Sequence, residues 1–256
     1  MMFDFTGRVA LITGAGGGIG SEAARAYTEQ GAAVALFDVR KEAVEAVANE
    51  LTAEGKQAIA IQCDSGDEEQ IKNSVQKVID HYGKIDILLN NASLGGGGRV
   101  ETQTKEFWDN IMAINVRGHM FMCKYVVPHM IERHYGRIIN VASVNAVFGE
   151  KNDDLARVPY CTSKSAVLGL TNALGTYLPK HGILCNAVCP GVTDTDQPRS
   201  SLLKYPGFEE WYANHNPLSR IAQPREMCST FLWLSAEETT YVSAQAIQVD
   251  GGFTKA

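Results

Sequence analysis

The chain has 256 residues, 45% hydrophobic and 20% charged, which suffices for one large domain with a sizeable core. A formal net charge of -6 and the lack of any Lys/Arg-rich run argue against a polyanionic partner such as nucleic acid. No apolar run approaches membrane-spanning length, and Met1–Phe5 offers neither the basic region nor the apolar core of a signal peptide. We therefore expect a cytoplasmic protein without a membrane partner.

In chain order, apolar runs stand at Val9–Thr13, Ala33–Phe37, Ala58–Cys63, Ile85–Leu89, Arg137–Val141, Leu184–Cys189 and Ala246–Val249. Between most of them lie stretches with one charged face, at Lys41–Glu54, Glu68–His81, Lys105–Arg133 and Ser163–Lys180, which read as helices. Short β-branched runs alternating with amphipathic helices predict βαβ units. The expected fold is α/β: a doubly wound Rossmann fold with a seven-stranded parallel sheet flanked by helices. No linker or repeat divides it, so residues 1–256 read as a single dinucleotide-binding and catalytic domain, with Gly95–Gly98 a local loop. The six cysteines lie in apolar segments and read as buried thiols. The Cys185/Cys189 pair runs along a strand, and His129 and His134 do not share a helix face, so no metal site is expected.

After the first run comes Thr13-Gly14-Ala15-Gly16-Gly17-Gly18-Ile19-Gly20, with a helix opening near Ile19. Gly14 allows a sharp turn; Gly18 and Gly20 remove side chains where backbone meets a pyrophosphate and helix meets sheet. Free N–H groups at the helix start favour phosphate. Asp38 closes the second run, 20 residues after Gly18, where a carboxylate accepts hydrogen bonds from an adenosine ribose and repels a 2′-phosphate. NAD is favoured over NADP, although Arg40 just beyond Asp38 offsets part of the repulsion.

Tyr160 and Lys164 are four apart in Y-C-T-S-K, on one helix face. A neighbouring ammonium favours phenolate, and such a tyrosine exchanges protons with an alcohol. The pair beside a nucleotide-binding turn reads as a dehydrogenase.

From about Phe5 to Phe253 these residues resemble the short-chain dehydrogenase/reductase family. The resemblance rests on Thr13-Gly14-x-x-x-Gly18-Ile19-Gly20, Asn90-Asn91-Ala92-Ser93, Asn115, Ser143, Tyr160-x-x-x-Lys164, Pro190-Gly191 with Thr195, and Asp250-Gly251-Gly252. It implies that Asp64 meets the adenine amino group, with Ser65 among the cofactor contacts, and that Asn91 and Ala92 line the cofactor's ribose side. It further implies that Lys164 holds the nicotinamide ribose and that Val192, Thr193 and Thr195 reach the carboxamide. Tyr160 would exchange the proton, Ser143 would bind the substrate oxygen, and Asn115 would hold a relay water. Family members assemble as tetramers or dimers, here through Lys105–Arg133 and Ser163–Lys180.

Two departures bear on the substrate. Ser93 stands where the family usually has Gly, and the 17-residue gap from Ser143 to Tyr160 carries a charged insertion over 150–157. Ser93, Ser143, Asn145, Tyr160 and Trp211 are the candidate substrate contacts. The stretch 194–218, with Tyr205, Phe208, Trp211 and Tyr212, reads either as a substrate lid or as a segment packing on itself or a second subunit. The polar insertion (Glu150, Asp153 and Asp154, beside Asn145) favours a sugar or polyol among secondary alcohols and ketones. A hydroxysteroid and a 3-oxoacyl thioester are the alternatives, and a dinucleotide sensor without catalysis is the alternative of a different class.

Overall fold

A computed structural model describes residues 3–149 and 156–256. Seven parallel strands form one sheet in the order β3-β2-β1-β4-β5-β6-β7. They are β1 (Val9–Thr13), β2 (Ala33–Asp38), β3 (Ala58–Gln62), β4 (Ile87–Asn90), β5 (Gly136–Val141), β6 (Ile183–Pro190) and β7 (Ala246–Val249). The order reverses between β1 and β4, so a crevice opens beyond the carboxyl ends of those strands.

Both faces of the sheet are covered, and side-chain alternation along each strand divides the core in two. Ala10, Ile12, Val34, Leu36, Leu89 and Val141 pack on one face under α1 (Gly18–Glu29), α2 (Lys41–Ala53) and α9 (Cys228–Ser235). Val9, Leu11, Ala35, Phe37, Leu88 and Ile138 pack on the other under α3 (Glu68–Tyr82), α5 (Gly118–Glu132) and α6 (Val158–Tyr177). Burial on both faces is why these strands read as continuous apolar runs. The remaining helices are α4 (Lys105–Met112), α7 (Asp196–Ser201) and α8 (Phe208–His215).

Two helices differ from expectation. The stretch Lys105–Arg133 is not one α-helix: a π-helical turn, Ala113–Arg117, separates α4 from α5. Such a turn inserts a residue and rotates the helix beyond it, and here it holds Asn115 fully buried. α6 begins at Val158, five residues before the expected Ser163, because Pro159 suits a first helical turn, where no N–H partner is needed. Among the described residues no helix is long and apolar enough to cross a membrane, and no cluster of ligating side chains gathers a metal. No disulfide joins the six cysteines, five of which are buried.

Candidate active site

The crevice is a cleft of ≈ 430 Å³ at the carboxyl ends of the strands. Its wall includes Gly14, Gly17, Gly18 and Ile19 from the turn after β1, Asp38 from the end of β2, and Asp64 and Ser65 after β3. Asn91, Ala92 and Ser93 after β4, Ser143 after β5, Thr193 and Thr195 after β6, and Tyr160 and Lys164 of α6 complete the expected part of it.

The glycine turn is braced from below. Asn91 Nδ2 donates to the carbonyls of Thr13 (2.9 Å) and Gly14 (3.2 Å), and Thr13 Oγ1 accepts from the Asn91 and Ala92 amides, both at 2.9 Å. Gly14 has φ 64°, and a Cβ there would lie 2.9 Å from the Ala92 Cα, so only glycine fits. Gly20 does not line the cleft; it packs beneath the turn, where a Cβ would collide with the Gly14 carbonyl. Gly17 caps α1 with no side-chain acceptor on the first-turn N–H groups, and that turn holds no acidic residue. Donors and positive dipole thus remain available to phosphate.

Asp38 is buried at the cleft edge and serves the turn directly. Its Oδ2 accepts from the Gly16 amide at 2.9 Å, and Oδ1 accepts from the Arg40 amide (2.9 Å) and Arg40 Nε (3.3 Å). Asp64 Oδ1 accepts from Gly66 N at 2.8 Å, holding the loop after β3. The glycine cradle, the uncapped helix start and the carboxylate at the end of β2 together fit a dinucleotide.

At the other end of the cleft, Tyr160 and Lys164 lie one turn apart in the first part of α6. Lys164 is fully buried; its Nζ donates to the Val141 carbonyl at 2.8 Å and lies 5.6 Å from the Tyr160 ring centroid. Burial lowers its ammonium to about 7. The phenol of Tyr160 is not lowered, as expected from the sequence, but raised. Burial is the largest cause; Arg157, Ser143 and Gln197 oppose it in that order. Desolvation outweighs the neighbouring charge here because the whole ring is enclosed.

Ser143, rather than Ser163, faces the cleft. Ser163 is fully buried, donating to the Tyr160 carbonyl (2.8 Å) and accepting from Asn115 Nδ2 (3.0 Å). Asn115 also exchanges both bonds with the Leu94 backbone (2.7 and 3.0 Å), so its amide ties the loop after β4 to α6 from behind the wall. Deeper still, burial and then the charge of Lys164 hold the His119 imidazole down to about 3, so it stays neutral.

Besides Gly20 and Asn115, three more expected site residues lie off the wall: Asn145, Trp211 and Val192. Asn145 is committed elsewhere: its Oδ1 accepts from Arg157 Nη2 at 2.7 Å and its Nδ2 donates to the Phe148 carbonyl at 3.2 Å. Trp211 packs on Phe208, His215 and Phe253, with ring centroids 5.8, 4.7 and 6.3 Å away. Phe208 and Tyr212 form a small core with Leu202, Ile221 and Phe253, because ring faces this large bury best against each other, while Tyr205 and Trp211 stay exposed at its edge. Val192 joins that core, its amide donating to the Tyr212 hydroxyl at 3.2 Å. The charged part of the insertion, 150–155, lies outside the described residues.

Sequence reasoning missed Gln197, Leu94 and Ile114, which line the cleft, and Arg157, whose guanidinium carbon lies 5.5 Å from the Tyr160 centroid. Gln197 sits in α7, packs where a Cβ on Gly95 would be, and reaches the Tyr160 phenol. The one signal in the sequence was the glycine run itself. Gly95, Gly96, Gly97 and Gly98 face Gln197, Phe107, Arg157 and Gln103 respectively, each seat requiring the missing Cβ.

Residues 8–204 match the family model described as short chain dehydrogenase. A sorbitol dehydrogenase of Cereibacter sphaeroides is 36% identical, over 96% of this chain and 97% of its own. A 3-oxoacyl-[acyl-carrier-protein] reductase of Thermotoga maritima is 33% identical, over 96% and 97%. A gluconate 5-dehydrogenase from Burkholderia cenocepacia, solved with NADP and tartrate, superposes with a TM-score of 0.93 at 31% identity, covering 99% of this chain and 98% of that one. With a family model spanning most of its length and relatives matching it end to end, the chain belongs to the short chain dehydrogenase family, oxidoreductases that act on CH–OH groups.

Proposed function

We propose that this protein is an NAD-dependent dehydrogenase of secondary alcohols, with sugars or polyols as the substrate class. The observation that carries the reading is the convergence of Tyr160, Ser143 and Lys164 on one cleft with the uncapped start of α1 and the Asp38 carboxylate. A nicotinamide bound there supplies the hydride acceptor or donor. Tyr160 exchanges the hydroxyl proton, and Ser143 donates to the oxygen as charge develops on it. Lys164 orients the ribose beside them, and Asn115 keeps the loop after β4 in register with α6.

Asp38 supports NAD, because a ribose 2′-phosphate would meet a buried carboxylate already filled by three donors. Arg40 supports a second reading, since its guanidinium lies beside that carboxylate and is half exposed. The gluconate 5-dehydrogenase solved with NADP and the 3-oxoacyl reductase among the relatives favour the same alternative, an NADP-linked reductase. For substrate class, sorbitol and gluconate dehydrogenases stand among the relatives, and the buried Ser93 hydroxyl on the cleft wall has no partner among the described residues. A substrate hydroxyl would satisfy it.

We further propose a homotetramer or homodimer in the cytoplasm, assembled through α4, α5 and α6. Trp108 and Met120 are exposed on those helices, while Met122, Cys123 and Val167 are spent on the core. Light scattering decides the assembly; a monomer at micromolar concentration removes it.

Initial rates with NAD and NADP over a panel of polyols, sugar acids, hydroxysteroids and 3-hydroxyacyl thioesters test the activity. An NAD-linked rate on a polyol or sugar is expected. A rate only with NADP and a thioester would replace this reading by the second, and tight dinucleotide binding with no turnover would favour a sensor.

A further inference from the structure

Arg157 stands three residues before Tyr160, at the entrance to α6, and contacts from the loop after β4 hold it there. Gly98 N donates to the Ala156 carbonyl at 2.8 Å and Val158 N donates to the Gly98 carbonyl at 3.3 Å, an isolated parallel bridge between Gly98 and Arg157. The arginine stem lies on Gly97, where any Cβ would collide with its Cγ. So anchored, the guanidinium carbon sits 5.5 Å from the Tyr160 ring centroid, as near as the 5.6 Å of Lys164 Nζ. Its Nη2 donates to Asn145 Oδ1 at 2.7 Å; the Asn145 main-chain N–H donates to Ser143 Oγ at 3.1 Å, and Ser143 Oγ lies 3.5 Å from the same Asn145 Oδ1.

We propose that Arg157 is a positioning residue for proton transfer, holding a permanent positive charge against Tyr160 and fixing the Ser143 hydroxyl through Asn145. This role rests on the dehydrogenase reading and extends it: the cation that steadies the phenolate comes from outside the Tyr160–Lys164 pair.

The groups facing Tyr160 are Arg157 ahead of α6, Cys161 and Lys164 on α6, Ser143 beyond β5 and Gln197 on α7. Burial raises the phenol most and Cys161 adds to the rise; Arg157 leads the influences that oppose it. Lys164, lowered to about 7 by burial, loses much of its charge just above neutral pH. A guanidinium keeps its proton throughout the working range, whatever else its five donors hold.

The test is tyrosinate absorbance against pH, within the range where circular dichroism stays native. Wild type, Arg157→Gln and Arg157→Lys are each measured with and without Tyr160→Phe, so that the difference isolates this phenol. Arg157→Gln is expected to raise the Tyr160 midpoint by about one unit, a tenfold loss of phenolate at fixed pH, and Arg157→Lys to recover most of it. An unchanged midpoint in Arg157→Gln overturns the proposal. If Arg157→Gln does not fold, Gly97→Ala, whose Cβ would strike the Arg157 Cγ and the main chain at Ala156 and Arg157 and so displace residue 157 from its seat, must raise the midpoint instead; an unchanged value there also overturns it. In the kinetic arm, the rising limb of kcat/KM for alcohol oxidation moves to higher pH by the same amount while KM for NAD stays constant. Absence of any turnover in the wild type would remove the dehydrogenase reading, whereas the absorbance titration would still decide the role of Arg157.

Discussion

The ammonium of Lys164 donates to the main-chain carbonyl of Val141, 2.8 Å away at the end of β5. One bond to a neutral carbonyl holds a side chain that the fold has taken almost wholly out of water. That arrangement keeps a costly cation ready at the cleft wall, and burial lowers it to about 7 from its ordinary 10.5.

Stability depends on pH accordingly. Between about pH 7 and 10.5 the unfolded chain binds more protons at this lysine than the folded one, so the Lys164 contribution to stability improves as pH rises through that window. Below it the penalty is constant and largest. Lys164→Met is therefore expected to raise Tm at pH 6 by roughly 3 °C or more, and by less at pH 10, while removing turnover. A Tm shift independent of pH would contradict the burial argument.

Tyr160→Phe deletes one hydroxyl and leaves the ring's packing in place. Turnover is expected to fall by about 10²–10⁴-fold, the usual contribution of a positioned proton donor or acceptor. Calorimetric NAD binding should change little, since the glycine turn and Asp38 are untouched. Retained turnover would move proton transfer to another group.

Asp38→Ala removes the carboxylate that a 2′-phosphate would meet and leaves Arg40 free to pair with one. The ratio of kcat/KM with NADP to that with NAD is expected to rise by about tenfold or more. Losing the acceptor for the Gly16 amide should cost about 1 kcal/mol of stability, measured by urea titration. A ratio that does not move would mean that selectivity is not set at the end of β2.

Gly20 and Gly95 make a contrasting pair. A Cβ on Gly20 would strike the Gly14 carbonyl and the braced turn cannot retreat, so Gly20→Ala should cost about 1–3 kcal/mol and weaken dinucleotide binding. A Cβ on Gly95 would meet only side-chain atoms of Gln197, from Cγ outward, which can swing away by a change of rotamer. Gly95→Ala should leave Tm nearly unchanged and alter KM for the alcohol, because Gln197 reaches Tyr160. Equal losses of stability in both variants would refute the distinction.

Much of this architecture is legible in the sequence alone. Six of the seven strands lie within one residue of their expected bounds at each end, and β4 is displaced by two at its start, because apolar runs of strand length buried on both faces leave a plain local signature. Gly14 and Gly18 were readable as a turn since positive φ excludes most other residues, and Tyr160 and Lys164 as partners since helical spacing alone places them together.

What only the tertiary structure decided are the meetings between segments distant in the chain. The π-helical turn that buries Asn115 has no local signal, being stabilised by what Asn115 bonds across the fold to Leu94 and Ser163. Asn145 and Trp211 looked available to a substrate by type and place, yet Arg157 and Phe253 hold them. Arg157 and Gln197 reach Tyr160 because four glycines after β4 make room for side chains from other elements. Local sequence determines backbone conformation and period; which side chain fills the space beside a reactive group depends on shapes that exist only once the sheet has closed over its helices.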